Sequence, residues 1–337
     1  MCVADGSPPG AGSGRECATS AEGTKVITTL PVLLALRALG LGDLLVAVPA
    51  LRGLRAAFPD HYTLLAMPPW LHPLCELIGG WEPVSLAGLT REPPGPHWVD
   101  AGLDVAVNLH GNGAQSAALL DSMAPKRRIG HRRPGWPGPE WVPELPERWR
   151  WCRLLAAHGI AADESDFRLP APGVPAAPER AIVVHPGAAY GAKRWPVERF
   201  AKVAAAYRAG GHSVVITGSA GERELAERLA RLTGPGPEVL AGRTGLVGLA
   251  ALVASARLVV SGDTGVAHLA FAYGTPSVTL YGPVEPWRWA PPPGGPHRAP
   301  HGLNPRGDPF ADDPDPALLE VSVAEVLAEA AELGVPR

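Results

Sequence analysis

Short apolar runs rich in β-forming residues alternate with helical patterns from residue 32 onward, stop at a proline-rich stretch, and then begin again. This order is the signature of βα units, whose strands pair in parallel and whose helices cover both faces of the sheet. The first series predicts strands at 32–37 (VLLALR), 62–66 and 104–109 (DVAVNL), with helices near 44–58, 114–123 and 147–158. The stretch FRLPAPGVPAAPER at 167–180 has no period and reads as a linker. Beyond it the spacing predicts strands at 181–185, 213–217, 257–261 and 277–281, and helices at 197–209, 220–232, 246–255 and 265–273. A proline-rich loop over 283–318 then leads to a final helix near 322–333. The expected fold is therefore α/β, with two Rossmann-like domains facing a cleft. Its boundaries fall at 1–25 for a disordered tail, 26–168 for the N-terminal domain and 169–180 for the linker. The C-terminal domain takes 181–320 and the last helix 321–337. In such sheets a ligand binds at the carboxyl ends of the strands.

Composition removes several other classes. With 46% hydrophobic and 19% charged residues the chain has the apolar content of a globular protein. The balance of 30 Lys and Arg against 33 Asp and Glu argues against bulk nucleic-acid binding, which needs many phosphate-neutralising cations. Cys2, Cys17, Cys75 and Cys152 show neither a metal-ligand spacing nor a disulfide pattern, which fits a reducing cytoplasm. The first 25 residues lack an apolar core for a signal peptide, and the run from Leu30 to Leu54 is broken by Arg37, Asp43 and Arg52. No membrane span is expected, and at most peripheral membrane contact.

Three strand-to-helix turns carry candidate chemistry. In RALGLGD, residues 37–43, Gly40 and Gly42 permit a tight turn and Asp43 falls at the expected N-cap of the next helix. Asp43 either caps that helix or, facing the cleft, serves as a general base toward a substrate hydroxyl. Pro49 conflicts with a regular helix there. In HPGAAYGAKRWP, residues 185–196, a glycine loop feeds a helix begun at a proline; with Lys193 and Arg194 it is either a diphosphate cradle or a solvated basic loop. In SGDTGVAH, residues 261–268, Asp263, Thr264 and Gly265 open a helix whose amides favour anions, and His268 lies one turn on. A plain cap beside a core histidine is the alternative.

Weaker signals remain. Glu222 in TGSAGE is a candidate for a ribose diol or a simple helix-start carboxylate. Lys126, Arg127, Arg128, Arg132 and Arg133 form either a site for an anionic acceptor or lipid surface or a solvated basic turn. His110, after the strand at 104–109, points to the same cleft as Asp43.

Together these segments resemble the family 9 glycosyltransferases, the ADP-heptose heptosyltransferase family. The resemblance rests on LRALGLGDLLVAVPALRGLRAAFP at 36–59, DVAVNLHGNGAQSA at 104–117, VVHPGAAYGAKRWPVERFA at 183–201, VITGSAGERELA at 215–226 and the segment 249–283 around SGDTGVAH. It implies a GT-B fold and an inverting, metal-independent transfer of a sugar, a heptose foremost, from an ADP-sugar donor to an acceptor hydroxyl. By it Asp43 is the base; Lys193, Asp263, Thr264 and Gly265 hold donor phosphates, with His268 in that pocket and Glu222 near the ribose, while Arg194 joins the donor side by its charge beside Lys193. Gly42 and His110 fall on the acceptor side, and the acceptor is a glycan or small molecule. No cofactor or metal ligand is implied, since the nucleotide sugar is itself a substrate. A sugar-nucleotide epimerase or a non-catalytic sugar-nucleotide-binding protein of the same fold are the rivals. The tail, the segment 134–146 and the loop near 291–316 have no counterpart in the resemblance.

Overall fold

The computed structural model describes residues 30–89, 102–176, 178–289, 291, 293–304 and 306–337. The expected tail over 1–25 lies outside the described residues. Eleven strands among them form two fully parallel sheets. The first holds β1 (Val32–Leu36), β2 (Tyr62–Met67), β3 (Glu82–Ser85), β4 (Leu103–Asn108) and β5 (Arg127–Ile129), in the order β3-β2-β1-β4-β5. The second holds β6 (Ile182–His185), β7 (Val214–Ile216), β8 (Glu238–Val239), β9 (Leu258–Gly262), β10 (Ser277–Leu280) and β11 (His297–Arg298), in the order β11-β10-β9-β6-β7-β8. Every residue of β1, β6, β9 and β10 is buried, as helices on both faces require of a central parallel strand.

Helices cover the first sheet as α1 (Leu41–Val46), α2 (Val48–Ala57), α3 (Cys75–Ile78), α4 (Ala114–Asp121) and α5 (Glu147–Ala156). Those of the second are α6 (Val197–Ala209), α7 (Arg223–Thr233), α8 (Leu246–Ser255), α9 (Gly265–Tyr273), α10 (Pro286–Trp289), α11 (Pro316–Glu320) and α12 (Val323–Glu332). The last packs Val326 and Ala330 into the core of the second sheet against α6 and β10, in one cluster with Leu318 and Val321. Another buried cluster runs from Leu33 and Leu44 through Leu41 to Val266 and Leu269, so α1 and α9 join the two sheets with apolar packing. Among the described residues no helix is long and apolar enough to cross a membrane.

The structure corrects the sequence expectation in four places. The single helix expected at 44–58 is two, broken at Ala47, and Pro49 sits in the first turn of α2, where its missing N–H is harmless. The basic stretch 126–133 is not a turn throughout: Arg127 and Arg128 open the edge strand β5, held by main-chain pairing that a charge pattern does not report, while Lys126 and Arg132 lie outside it. Strands β3, β8 and β11 are two to four residues long, too short for a period to show. The loop expected over 283–318 contains α10, β11 and α11.

Each sheet reverses direction between its first and fourth strands, at β1/β4 and at β6/β9. Connections leave such a pair on opposite faces and open a crevice at its carboxyl end. The turns that follow these four strands begin at Arg37, Leu109, Pro186 and Asp263 and include the candidate motifs.

Candidate functional site

On the N-terminal side, the extended Gly40 is the N-cap of α1, and Asp43 is its third residue, not the N-cap that the spacing suggests. Its side chain folds back so that Oδ2 accepts the Gly40 N–H at 3.2 Å. Oδ1 lies 3.3 Å from Arg37 Nη2, and Arg37 Nε donates to the Asp43 carbonyl at 2.9 Å. The carboxylate is nevertheless 32% exposed, so capping the helix and facing solvent are compatible in one side chain. His110 is the second residue after β4; its N–H donates to Asn108 Oδ1 at 3.1 Å, and Asn108 is in turn fixed by Ser116. Burial, helped by Arg37 and opposed by Asp43, pushes the His110 imidazole down to about 4, so it is neutral at pH 7. Its Nδ1 is buried and has no hydrogen-bond partner among the described residues.

On the C-terminal side, Lys193 Nζ reaches Asp263 Oδ2 at 2.7 Å, and the Asp263 side chain is only 8% exposed. Thr264 is the N-cap of α9, its Oγ1 buried and without a hydrogen-bond partner among the described residues, and Gly265 begins the helix. The first-turn amides of such a helix lack intrahelical acceptors, which makes its end favourable for an anion. His268 is buried between the edges of Phe271 and Trp289, at ring distances of 5.3 and 5.8 Å. Burial takes its imidazole down to about 4 against the opposing pull of Asp263 and Asp43.

Gly42 joins the two sides. A Cβ there would lie 2.7 Å from His268 Cδ2, and a Cβ on Gly265 would lie 2.7 Å from the Leu41 Cβ. Only glycine at both positions lets the starts of α1 and α9 approach so closely. The structure thus brings Gly42 and Asp43 together with Asp263, Gly265 and His268, and Lys193 with them through its ion pair.

Glu222 is placed differently, beside the glycine turn after β6, where a Cβ on Gly187 would overlap its carboxylate. Although desolvation works to raise it, the Ser219 N–H bond at 2.7 Å, His185 and Arg194 hold the carboxyl below its usual range. Arg194 gives both Nε and Nη2 to the Ala188 carbonyl, at 2.9 and 2.8 Å, and so braces this turn. The basic residues Lys126, Arg127 and Arg128, with His158, line a separate cavity of about 340 Å³, and Lys126 and Arg128 are paired with Asp104 and Asp121. Two residues of the site are absent from the sequence-based candidates: Arg37, whose charge at the end of an all-apolar strand is a readable signal, and His185, bonded to Thr217 Oγ1 at 3.0 Å. Among the described residues no group of three or more His, Cys, Asp or Glu is arranged to hold a metal ion.

Residues 153–296 match the family model described as glycosyltransferase family 9 (heptosyltransferase). Lipopolysaccharide heptosyltransferase 2 of Salmonella typhimurium is 33% identical over 150 residues, covering 42% of this chain and 41% of that protein. The chain therefore aligns with about two fifths of the length of this curated relative. Among solved structures, a family 9 glycosyltransferase from Veillonella parvula superposes with a TM-score of 0.73 at 20% identity, over 92% of this chain and 99% of that one. The E. coli heptosyltransferase WaaC with ADP gives 0.67 at 20% identity, over 89% and 99%. The two parallel sheets facing a cleft are the GT-B fold these structures share.

Proposed function

We propose that this chain, whose residues 153–296 match the model of glycosyltransferase family 9, is a member of that family and transfers a heptose from ADP-heptose to a glycan hydroxyl with inversion at the anomeric carbon and without a metal ion. The observation that carries this is the meeting of a part-exposed carboxylate, Asp43, with a Lys193–Asp263 pair and the start of α9 across the Gly42–His268 contact. Base and anion cradle belong to different sheets, as a reaction between an acceptor and a nucleotide sugar requires.

In this mechanism Asp43 accepts the proton of the acceptor hydroxyl as its oxygen forms a bond to the anomeric carbon. The bond from that carbon to the diphosphate oxygen breaks on the opposite face, and its electron pair leaves with ADP. Lys193 and the Thr264–Gly265 amides take the charge that grows on the departing diphosphate. Glu222, held ionised beside the turn of Gly187, accepts hydrogen bonds from the ribose diol. His268, neutral and buried, contributes shape and a hydrogen-bonding edge, not charge. The donor is a substrate, and no cofactor is involved. A cytoplasmic location is part of this proposal.

The test is release of ADP from ADP-heptose in the presence of oligosaccharides freed from lipopolysaccharide core, with the product's anomeric configuration read by NMR. An α-configured donor giving an α product contradicts inversion. Turnover of the donor to an isomeric nucleotide sugar with no acceptor present favours an epimerase. Binding without turnover of any kind favours a non-catalytic carrier.

A further inference from the structure

We infer that Arg37 is a positioning residue that fixes the direction in which Asp43 presents its carboxylate to the acceptor. This role rests on the assignment of Asp43 as base. Arg37 follows β1 directly and is 1% exposed, an unusual place for a guanidinium unless its donors are spoken for. Nε and Nη2 both face Asp43, one on its carbonyl at 2.9 Å and one on Oδ1 at 3.3 Å, while Nη1 donates to the Leu109 carbonyl. The planar fork therefore ties the turn after β1 to the turn after β4, the two turns that flank the crevice of the first sheet, and sets Asp43 relative to His110.

With Gly40 N–H on Oδ2 and Arg37 on Oδ1, each carboxylate oxygen has one fixed donor, and rotation about the Cβ–Cγ bond breaks both. The guanidinium is itself clamped. It stacks on the buried Trp151 at 4.6 Å, and Trp151 packs against His131 and Trp141 at 6.1 and 6.4 Å. Arg150 lies over Trp141 at 4.0 Å, donates to the Val142 and Pro143 carbonyls at 2.5 and 3.0 Å, and pairs with Glu147 at 3.0 Å. The segment over 130–146 is thus anchored on the same stack that backs Arg37. A lysine carries the charge but lacks the planar fork and cannot hold these acceptors together.

The experiment measures ADP release from ADP-heptose with lipopolysaccharide-core oligosaccharide, and ADP affinity by calorimetry, for Arg37→Gln and Arg37→Lys. Each is made in the wild-type chain and in Asp43→Asn. Expected are a fall in kcat of about tenfold or more for Arg37→Gln, partial recovery in Arg37→Lys, and ADP affinity within about twofold of wild type. In the Asp43→Asn background neither change lowers kcat further, because Arg37 acts through the carboxylate that is already gone. A full additional loss there, or an equal loss of ADP affinity, marks a merely structural role and overturns the inference; so does a wild-type kcat in both variants. Where Arg37→Gln fails to fold, Arg37→Lys in the two backgrounds decides by the same criterion. A wild-type chain that releases no ADP, or an Asp43→Asn chain at the wild-type rate, overturns the proposed function itself, and this role with it.

Discussion

Gly42 in α1 lies against the His268 ring of α9 so closely that a single added carbon would stand 2.7 Å from Cδ2. His268 cannot retreat, because Phe271 and Trp289 flank it. Gly42→Ala therefore forces the starts of α1 and α9 apart. Overpacking of this kind costs about 1–3 kcal/mol, so the melting temperature should fall and kcat/KM should fall with it. A variant unchanged in both, by calorimetry and by ADP release, contradicts the close approach.

Lys193 and Asp263 form the ion pair nearest the start of α9, and the Asp263 carboxylate is almost buried. Lys193→Ala removes the cation proposed to meet the diphosphate and leaves Asp263 to repel it. ADP affinity should drop by about tenfold or more, in keeping with a charge-assisted contact of roughly 1.5–3 kcal/mol. Calorimetry showing wild-type affinity for ADP makes Lys193 a surface charge only.

Asp43→Asn should lower kcat by about 10²- to 10⁴-fold while ADP binding stays near wild type. Its stability cost is expected at about 1–3 kcal/mol, above that of a simple cap, because buried Arg37 loses its charged partner while keeping the Asp43 and Leu109 carbonyls. Wild-type turnover in a well-folded Asp43→Asn protein removes Asp43 as the base, and His110→Gln is then the next variant to assay.

Since a lysine and a helix start are assigned the leaving diphosphate, excess EDTA should leave the rate of ADP release unchanged. Loss of turnover on chelation, restored by Mg²⁺, contradicts the metal-free mechanism.

Burial pushes His131, His268 and His297 down to about 4 in the folded chain, against an ordinary value of 6.5. Between these limits the unfolded chain binds protons that the native state refuses, so stability is lost as pH falls from about 6.5 toward 4. Each group contributes on the order of 3 kcal/mol over that window. Melting temperature should decline steadily below pH 6.5, and His297→Asn should flatten the decline, since asparagine can still meet Ser277, 2.9 Å from His297 Nδ1. A flat profile in the wild type contradicts neutral burial of these rings.

The residues alone determined the repeated βα order, the central strands and the turns that carry Asp43, Lys193, Asp263, Thr264 and His268, because apolar period and glycine punctuation are local signals. The edge strands β3, β8 and β11 escaped them, being two to four residues long, too short for an apolar period to show. Arg37 was missed although its charge ends an all-apolar strand six residues before Asp43; what no local pattern shows is its burial against Leu109 and Trp151, 72 and 114 positions away. Only the tertiary structure decided that the guanidinium behind Asp43 is clamped by Leu109 and Trp151, and that Gly42 meets His268. Each of these depends on which chain segment lies across the crevice, and that is set by packing α1 on α9 and by the strand reversals at β1/β4 and β6/β9, not by any local pattern.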